Sequence, residues 1–301
     1  MLALANGESR GAMTAARQVL LKGGSALDAV ERGIREVEAD LSVHTVGRGG
    51  APDLCGDVSC DASIMDGRTR RAGSVGALRG YLHAVSAARQ VMEQLPHVLL
   101  VGDGAARFCR EAGLDQAEML TEEMRRKHAA WLDRHGGPGG SGARLAWISG
   151  DELVAGGTSV LLSIDRNGDL AVGASSSGWA HKYPGRLGDS GIVGAGVYAD
   201  NRYGACACTH TGERTIRAST SHSVVLYMSR GATVREACQE AARDLRTLEG
   251  GYHGPVAMHA MDCVGNVCVA TTEDLGPRID YCLWRDGMTQ PETYLPTVMG
   301  A

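Results

Sequence analysis

The segment Gly156-Gly157-Thr158-Ser159 places a threonine hydroxyl directly after two glycines and before an apolar, strand-like run. An amide is a poor electrophile, so its hydrolysis needs a positioned nucleophile and a nearby base. A threonine hydroxyl is weak alone. If the bond between Gly157 and Thr158 were broken, the freed α-amine would have an unperturbed pKa of about 7.7–8.0, close to what a general base needs near neutrality. One residue would then supply both nucleophile and base. Glycine at 157 is expected to permit the strained backbone that an N-to-O acyl shift requires. Further polar residues follow in three groups: Ser176, then Arg186 and Asp189 within Pro184–Ser190, then Thr209, His210 and Gly212 within Cys208–Glu213. Taken singly, each has an ordinary reading. Thr158 could be a β-branched strand starter, Ser176 a solvated turn, Thr209 a strand hydroxyl, and Arg186 with Asp189 a surface ion pair of little energy.

The elements that must position these groups are legible in part. Residues 11–22 carry a helical apolar pattern stopped by Gly23 and Gly24. Ser25 and Asp28 have the spacing of a capping box, in which hydroxyl and carboxylate reciprocally satisfy orphan amides at a helix start. Val75, Leu78, Leu82, Val85, Val91 and Leu95 recur at helical spacing and predict one helix over 74–95, ended by Pro96. Val98–Val101 reads as a short strand, and Glu122–Arg134 as a charged helix. The glycine-rich run 136–142 then reads as a flexible surface linker. Beyond it, the apolar runs Val160–Asp165 and Leu170–Ser175 flank Asn167-Gly168, a strong hairpin signal. A three-residue loop with a left-handed Gly168 would set Thr158 opposite Ser176. A two-residue turn would set it opposite Ser177, so the register stays open. Ala205–Thr209 reads as a strand, Thr233 and Glu236 cap a helix running to Gly250, and Val256–Met261 with Val267–Thr271 form a second hairpin turning at Gly265-Asn266.

Composition excludes several functions. The net charge of -5 leaves no basic stripe for nucleic acid, because Arg125-Arg126-Lys127 falls on a solvated helix face. No segment approaches the roughly 20 apolar residues of a membrane span. The start lacks the charged and apolar regions of a secretory signal, so the expected location is the cytoplasm. Nine scattered cysteines fit neither a disulfide framework nor zinc spacing and are expected to be free thiols. The single phenylalanine and 42 glycines imply a core of small residues in tightly stacked layers. Two motifs are decoys. Gly188–Gly191 matches the serine loop of trypsin-like proteases without their histidine motif, and Gly47–Gly50 lacks the strand–helix context of a phosphate loop and reads as a turn near the active site.

Together the motifs are specific. Gly23–Glu31, Val46–Asp53, Asp61–Gly67, Gly156–Ser159, Pro184–Ser190 and Cys208–Glu213 resemble the plant-type asparaginase, isoaspartyl peptidase and glycosylasparaginase family of N-terminal-nucleophile hydrolases, over nearly the whole chain. The resemblance implies an α+β fold, a four-layer αββα sandwich. It implies one domain over 1–301, processed to an α chain 1–157, with a flexible linker at about 134–157, and a β chain 158–301. It also implies self-cleavage between Gly157 and Thr158 and a homodimer of αβ units. The substrate would be a small amino-acid amide: asparagine, a β-aspartyl peptide or N4-substituted asparagine. No cofactor or catalytic metal is implied; a structural sodium is compatible with it. By the same resemblance Arg186 would hold the substrate α-carboxylate, Asp189 the α-amine, and Gly212 would line the binding site. Thr209 and the N–H of His210 would form the oxyanion hole, and the Ser176 hydroxyl would support the nucleophile. This sequence departs from the family in three places: Ser176 replaces a threonine, His210 replaces a glycine, and Asn6 stands near the place of a tryptophan. Two other readings follow from these departures, a specialised biosynthetic amidase or acyl transferase on a modified aspartyl amide, and a non-catalytic relative acting as a binding protein.

Overall fold

Ser25 and Thr233 both start helices by the mechanism their sequences suggest. In each, the side chain accepts from the backbone N–H three residues on, and the acid there accepts from the cap's own N–H. The computed structural model describes residues 1–135, 157–275 and 279–299. Its helices are α1 (Arg10–Leu21), α2 (Ala26–Ala39), α3 (Ala84–Gln94), α4 (Gly102–Glu111), α5 (Glu122–Arg134), α6 (Gly212–Ala218), α7 (Thr220–Ser229) and α8 (Val234–Thr247). Its strands are β1 (Leu2–Asn6), β2 (Cys60–Asp66), β3 (Ala72–Leu78), β4 (Leu99–Val101), β5 (Ser159–Ile164), β6 (Leu170–Ser176), β7 (Val197–Asp200), β8 (Gly204–His210), β9 (Val256–Asp262), β10 (Val267–Thr271), β11 (Tyr281–Arg285), β12 (Glu292–Tyr294) and β13 (Thr297–Val298).

The strands form two sheets. One has the order β12-β11-β1-β5-β6-β2-β3-β4, the other β13-β10-β9-β8-β7. Period-2 alternation sorts the side chains of each strand to two faces. Ala3, Ala5 and Leu161 of the large sheet meet the apolar faces of α1, α2 and α3, whereas Leu2, Leu4, Val160 and Leu162 share a cluster with Val197, Ala205, Ala207 and Met261 of the small sheet. On that sheet Cys206 and Cys208 alternate with Ala205 and Ala207 and pack instead against Val224 and Val225 of α7 and Cys238 and Leu245 of α8. Every cysteine is a free thiol, and most are buried. Small side chains permit the tight spacing: a Cβ on Gly173 of β6 would approach the Val30 side chain of α2 to 2.7 Å.

Both hairpins form. In the first, Asp165 N–H donates to the Asp169 carbonyl and Gly168 has φ 81°, a three-residue loop with a left-handed glycine. In the second, Asp262 N–H donates to Asn266, so the turn is 263–265 and Asn266 already belongs to the closing pair rather than to the turn. The helix expected over 74–95 is the main difference. Residues up to Leu78 form β3, paired with β2 and β4, and only Ala84–Gln94 is helical. Val75 and Leu78 satisfy a helical stripe, but Gly73 decides the matter. A Cβ there would collide with the Ala88 carbonyl of α3, so the glycine lets that helix lie directly on the strand. Helix α8 stops at Thr247, three residues before Gly250. The linker expected at 136–142 lies outside the described residues, as does most of 134–157.

Gly73 therefore predicts a stability difference. Gly73→Ala is expected to cost about 1–3 kcal/mol by overpacking. Gly104→Ala, with open space around its helical position in α4, is expected to gain about 0.5–1 kcal/mol. Urea denaturation of the two variants checks the opposite signs.

Candidate active site

The first hairpin fixes the register around Thr158. Ser159 pairs with Ser175, so Thr158 stands opposite Ser176. The Ser176 hydroxyl donates to the Gly157 carbonyl at 3.1 Å and accepts from Gly178 N–H at 2.9 Å. From the other side, Asn6 at the end of β1 donates through Nδ2 to the Thr158 carbonyl at 2.6 Å. Its Oδ1 accepts from Val160 N–H and from Ser9, whose hydroxyl also meets Ser159 at 2.7 Å. The carbonyls on both sides of the Gly157–Thr158 junction are thus held by side chains, and Thr158 is buried. Gly157 is not in the left-handed region, so backbone strain does not explain the glycine. Space does: a Cβ at 157 would collide with the Glu8 carboxylate.

Thr158 opens onto a cavity of about 340 Å³, lined also by Glu8, Gly157, Thr209, His210 and His259, with the Arg10–Asp280 ion pair at one side. Thr209 and His210 end β8, the strand of the small sheet that packs against β5 and β6. His210 has φ 82°, where a Cβ is costly, and its Nδ1 lies 2.9 Å from the Thr209 hydroxyl. Thr209 has one hydrogen to give. It stays available to a substrate oxygen only if His210 Nδ1 is protonated and donates, the tautomer an oxyanion hole at Thr209 requires. Burial lowers the His210 pKa and so favours the neutral ring. His259, fully buried on β9, is pushed down to about 3 by burial and by His210, and neither of its nitrogens has a hydrogen-bond partner.

Arg186, Asp189 and Gly212 sit together but outside this cavity's lining. Arg186 does not present the open fork expected for a substrate carboxylate. Its Nε and Nη2 bind the Glu213 carboxylate at 2.9–3.0 Å, and its guanidinium lies 4.7 Å above the Trp179 ring. A bidentate carboxylate at close range is a strong partner, so a substrate carboxylate must displace Glu213 or bind beside it. Asp189 is buried and accepts from the Thr215 hydroxyl at 2.7 Å. Burial raises its carboxyl to about 6, against the opposing pull of Thr215 and Arg186. A Cβ on Gly212 would stand 2.9 Å from the same carboxylate, so the glycine makes room for it. Asp61, in another motif noted from sequence, ties the loop down by accepting from Gly188 N–H at 2.9 Å and Ala77 N–H at 2.8 Å. The turn at Gly47–Gly50 packs on Ser177, one residue past Ser176, where a Gly50 Cβ would meet the Ser177 side chain.

Glu8 and His259 are the site residues sequence reasoning missed. Neither lies near a motif, and only the pairing of β1 with β5 and of β8 with β9 brings them in. Glu213 was within a recognised motif, but its partnership with Arg186 needs the loop's return. Among the described residues no group of His, Cys, Asp or Glu is arranged to hold a metal ion, and no helix is long and apolar enough to cross a membrane.

Two packed sheets hold a threonine at a strand start, opposite a serine hydroxyl and at the edge of a cavity, an arrangement in keeping with an amidohydrolase. The chain belongs to the asparaginase family, whose model matches residues 6–275. It is 40% identical over 263 residues to the N(4)-(β-N-acetylglucosaminyl)-L-asparaginase of Elizabethkingia miricola, covering 84% of this chain and 73% of that protein. It is 36% identical over 268 residues to the enzyme of the same name from Mus musculus, covering 82% and 78%. It is 35% identical over 263 residues to the isoaspartyl peptidase of Escherichia coli K12, covering 84% and 78%.

Asp189 carries a pH signature. Its carboxyl is raised from 3.8 to about 6 in the folded chain, so folding favours the protonated form. Its contribution to stability is present below pH 3.8 and lost as pH rises through about 6. Asp189→Asn removes that loss. Urea titrations between pH 4 and 7 are expected to show wild-type stability falling relative to the variant across this window.

Proposed function

We propose that this chain is a threonine amidohydrolase that cuts its own Gly157–Thr158 bond and then hydrolyses the side-chain amide of an aspartyl compound. One observation carries the reading: the hairpin register sets Thr158 opposite Ser176, with the Gly157 carbonyl on the Ser176 hydroxyl and Thr209 across the same cavity. The three apolar clusters, helix on sheet, sheet on sheet and sheet on helix, support a four-layer αββα order. After cleavage, Thr158 Oγ attacks the amide carbon while the new α-amine takes its proton. Thr209 Oγ and the His210 N–H hold the developing oxyanion, and the protonated amine passes its proton to the departing nitrogen. Water then hydrolyses the aspartyl ester by the same route. Asp189 and Arg186 recognise the amino-acid end of the substrate, whose carboxylate shares the guanidinium with Glu213 or displaces it. The relatives' names give the substrate class, asparagine, isoaspartyl or N4-substituted asparagine amides.

His210 favours a narrower substrate within that class, because its ring fills space in the cavity beside the oxyanion donors. A specialised amidase acting on a modified aspartyl amide fits this crowding.

Intact-mass analysis of the purified protein is expected to give fragments of 157 and 144 residues. Thr158→Ala is expected to stay as one uncut, inactive chain; an uncut wild type without amidase activity would sink the reading. On a panel of β-aspartyl amides, His210→Gly is expected to reorder kcat/KM among substrates. The same order in variant and parent would remove His210 from specificity.

A further inference from the structure

The carboxylate of Glu8 is packed against the bond proposed to break. Both its oxygens occupy the place a Gly157 Cβ would take. It lies in the 3-10 turn Gly7–Ser9, which continues directly from the Asn6 clamp, and its Oε2 accepts from the Thr45 hydroxyl at 2.8 Å. Before cleavage Thr158 has no free amine, so the base used later in catalysis does not yet exist. Another group must take the hydroxyl proton. His210 and His259 face the same cavity but are held neutral and low by burial, and Asp280 is occupied by Arg10. Among the described residues that line the cavity, Glu8 is the carboxylate not paired with a cation.

We propose that Glu8 is the proton acceptor and donor for self-cleavage. The inference rests on the self-processing reading above. Thr158 Oγ attacks the Gly157 carbonyl carbon and gives its proton to Glu8. A C–O bond forms, and the oxyanion is held by the Ser176 hydroxyl already bonded to that oxygen. As the C–N bond breaks, Glu8 returns the proton to the Thr158 nitrogen, leaving an ester and a free amine. Water attacks the ester, one proton restores the Thr158 hydroxyl, and Gly157 leaves as a carboxylate. The net consumption is one water. Although Glu8 keeps surface open to solvent, the protein atoms crowding its carboxylate raise its pKa, opposed by the Thr45 hydroxyl, which makes it a better proton acceptor than an ordinary carboxylate.

The test follows processing of the freshly refolded full chain by denaturing gel and intact mass across pH. The wild-type rate is expected to rise with pH through a midpoint above the ordinary carboxylate range. Glu8→Gln should slow processing by about 100-fold or more, while Glu8→Asp, which keeps the carboxylate, recovers part of the rate. Thr45→Val removes a hydrogen bond to the ionised form and should move the midpoint upward without abolishing processing, a readout that survives if a Glu8 variant misfolds. Wild type that cleaves while Glu8→Gln cleaves equally fast, or an unmoved midpoint in Thr45→Val, overturns the role of Glu8 alone. A wild-type chain that never cleaves overturns this inference together with the self-processing reading.

Discussion

The site depends on two hydrogen bonds that grip the backbone on either side of one peptide bond. Ser176 holds the Gly157 carbonyl from β6, and Asn6 holds the Thr158 carbonyl from β1. β1 and β6 flank β5 in the large sheet, so the junction is clamped by the strands on both sides of its own. If that bond is cut as proposed, its carbonyl needs fixed geometry, because a hydroxyl can attack only along a narrow approach. Sheet hydrogen bonds supply that rigidity at no cost to the reacting atoms. The polar network of Asn6, Ser9 and Ser159 behind the clamp is buried and mutually satisfied, which is what keeps such a network from becoming a liability.

Electrostatics divides the surroundings of that junction into two regions. On the Thr209 side, burial favours the neutral forms of His210 and His259, and the cavity's guanidinium, Arg10, is paired with Asp280. On the Arg186 side, a buried acid and a paired guanidinium lie close together, and the structure offsets their desolvation with Thr215 and Glu213. Glu213 already occupies two nitrogens of the Arg186 guanidinium. Under the proposed role of Arg186, a substrate carboxylate would share that fork with Glu213 or displace it. The guanidinium also lies over the Trp179 ring, a cation–π contact that adds to its hold.

Small residues make these distances possible. Gly157 admits Glu8, Gly212 admits Asp189, and Gly50 admits Ser177, each by removing a Cβ that would clash. The same economy operates in the core, where Gly173 and Gly73 allow α2 and α3 to lie close on their strands. A chain with a single phenylalanine fills its layers with alanine, valine and cysteine, and the closeness of the layers follows.

Local chemistry was sufficient for what the sequence determined. Ser25 and Thr233 announce helix starts because a capping box is a three-residue interaction, and Gly168 announces a hairpin because few residues accept its φ. The motifs around Thr158, Arg186 and Thr209 mark the family by residue identity alone. Tertiary structure decided whatever depends on what packs against a residue. Val75 and Leu78 have helical spacing, yet they reach one core from β3 through the irregularity that gives Ala77 φ 48°, and only the helix lying on Gly73 settles the segment as a strand. The register of Thr158 needed the observed loop length. Glu8 and His259 carry no local mark and join the site through strand pairing. At Gly157 the sequence suggests backbone freedom, whereas the structure shows a glycine making room for the carboxylate of Glu8, distant in sequence. The resemblance implies a substrate carboxylate on Arg186, and only the approach of Glu213 shows that the guanidinium already holds one. A sequence specifies its local hydrogen bonds directly, but the partner of a charge or the neighbour of a glycine is fixed only when distant segments meet.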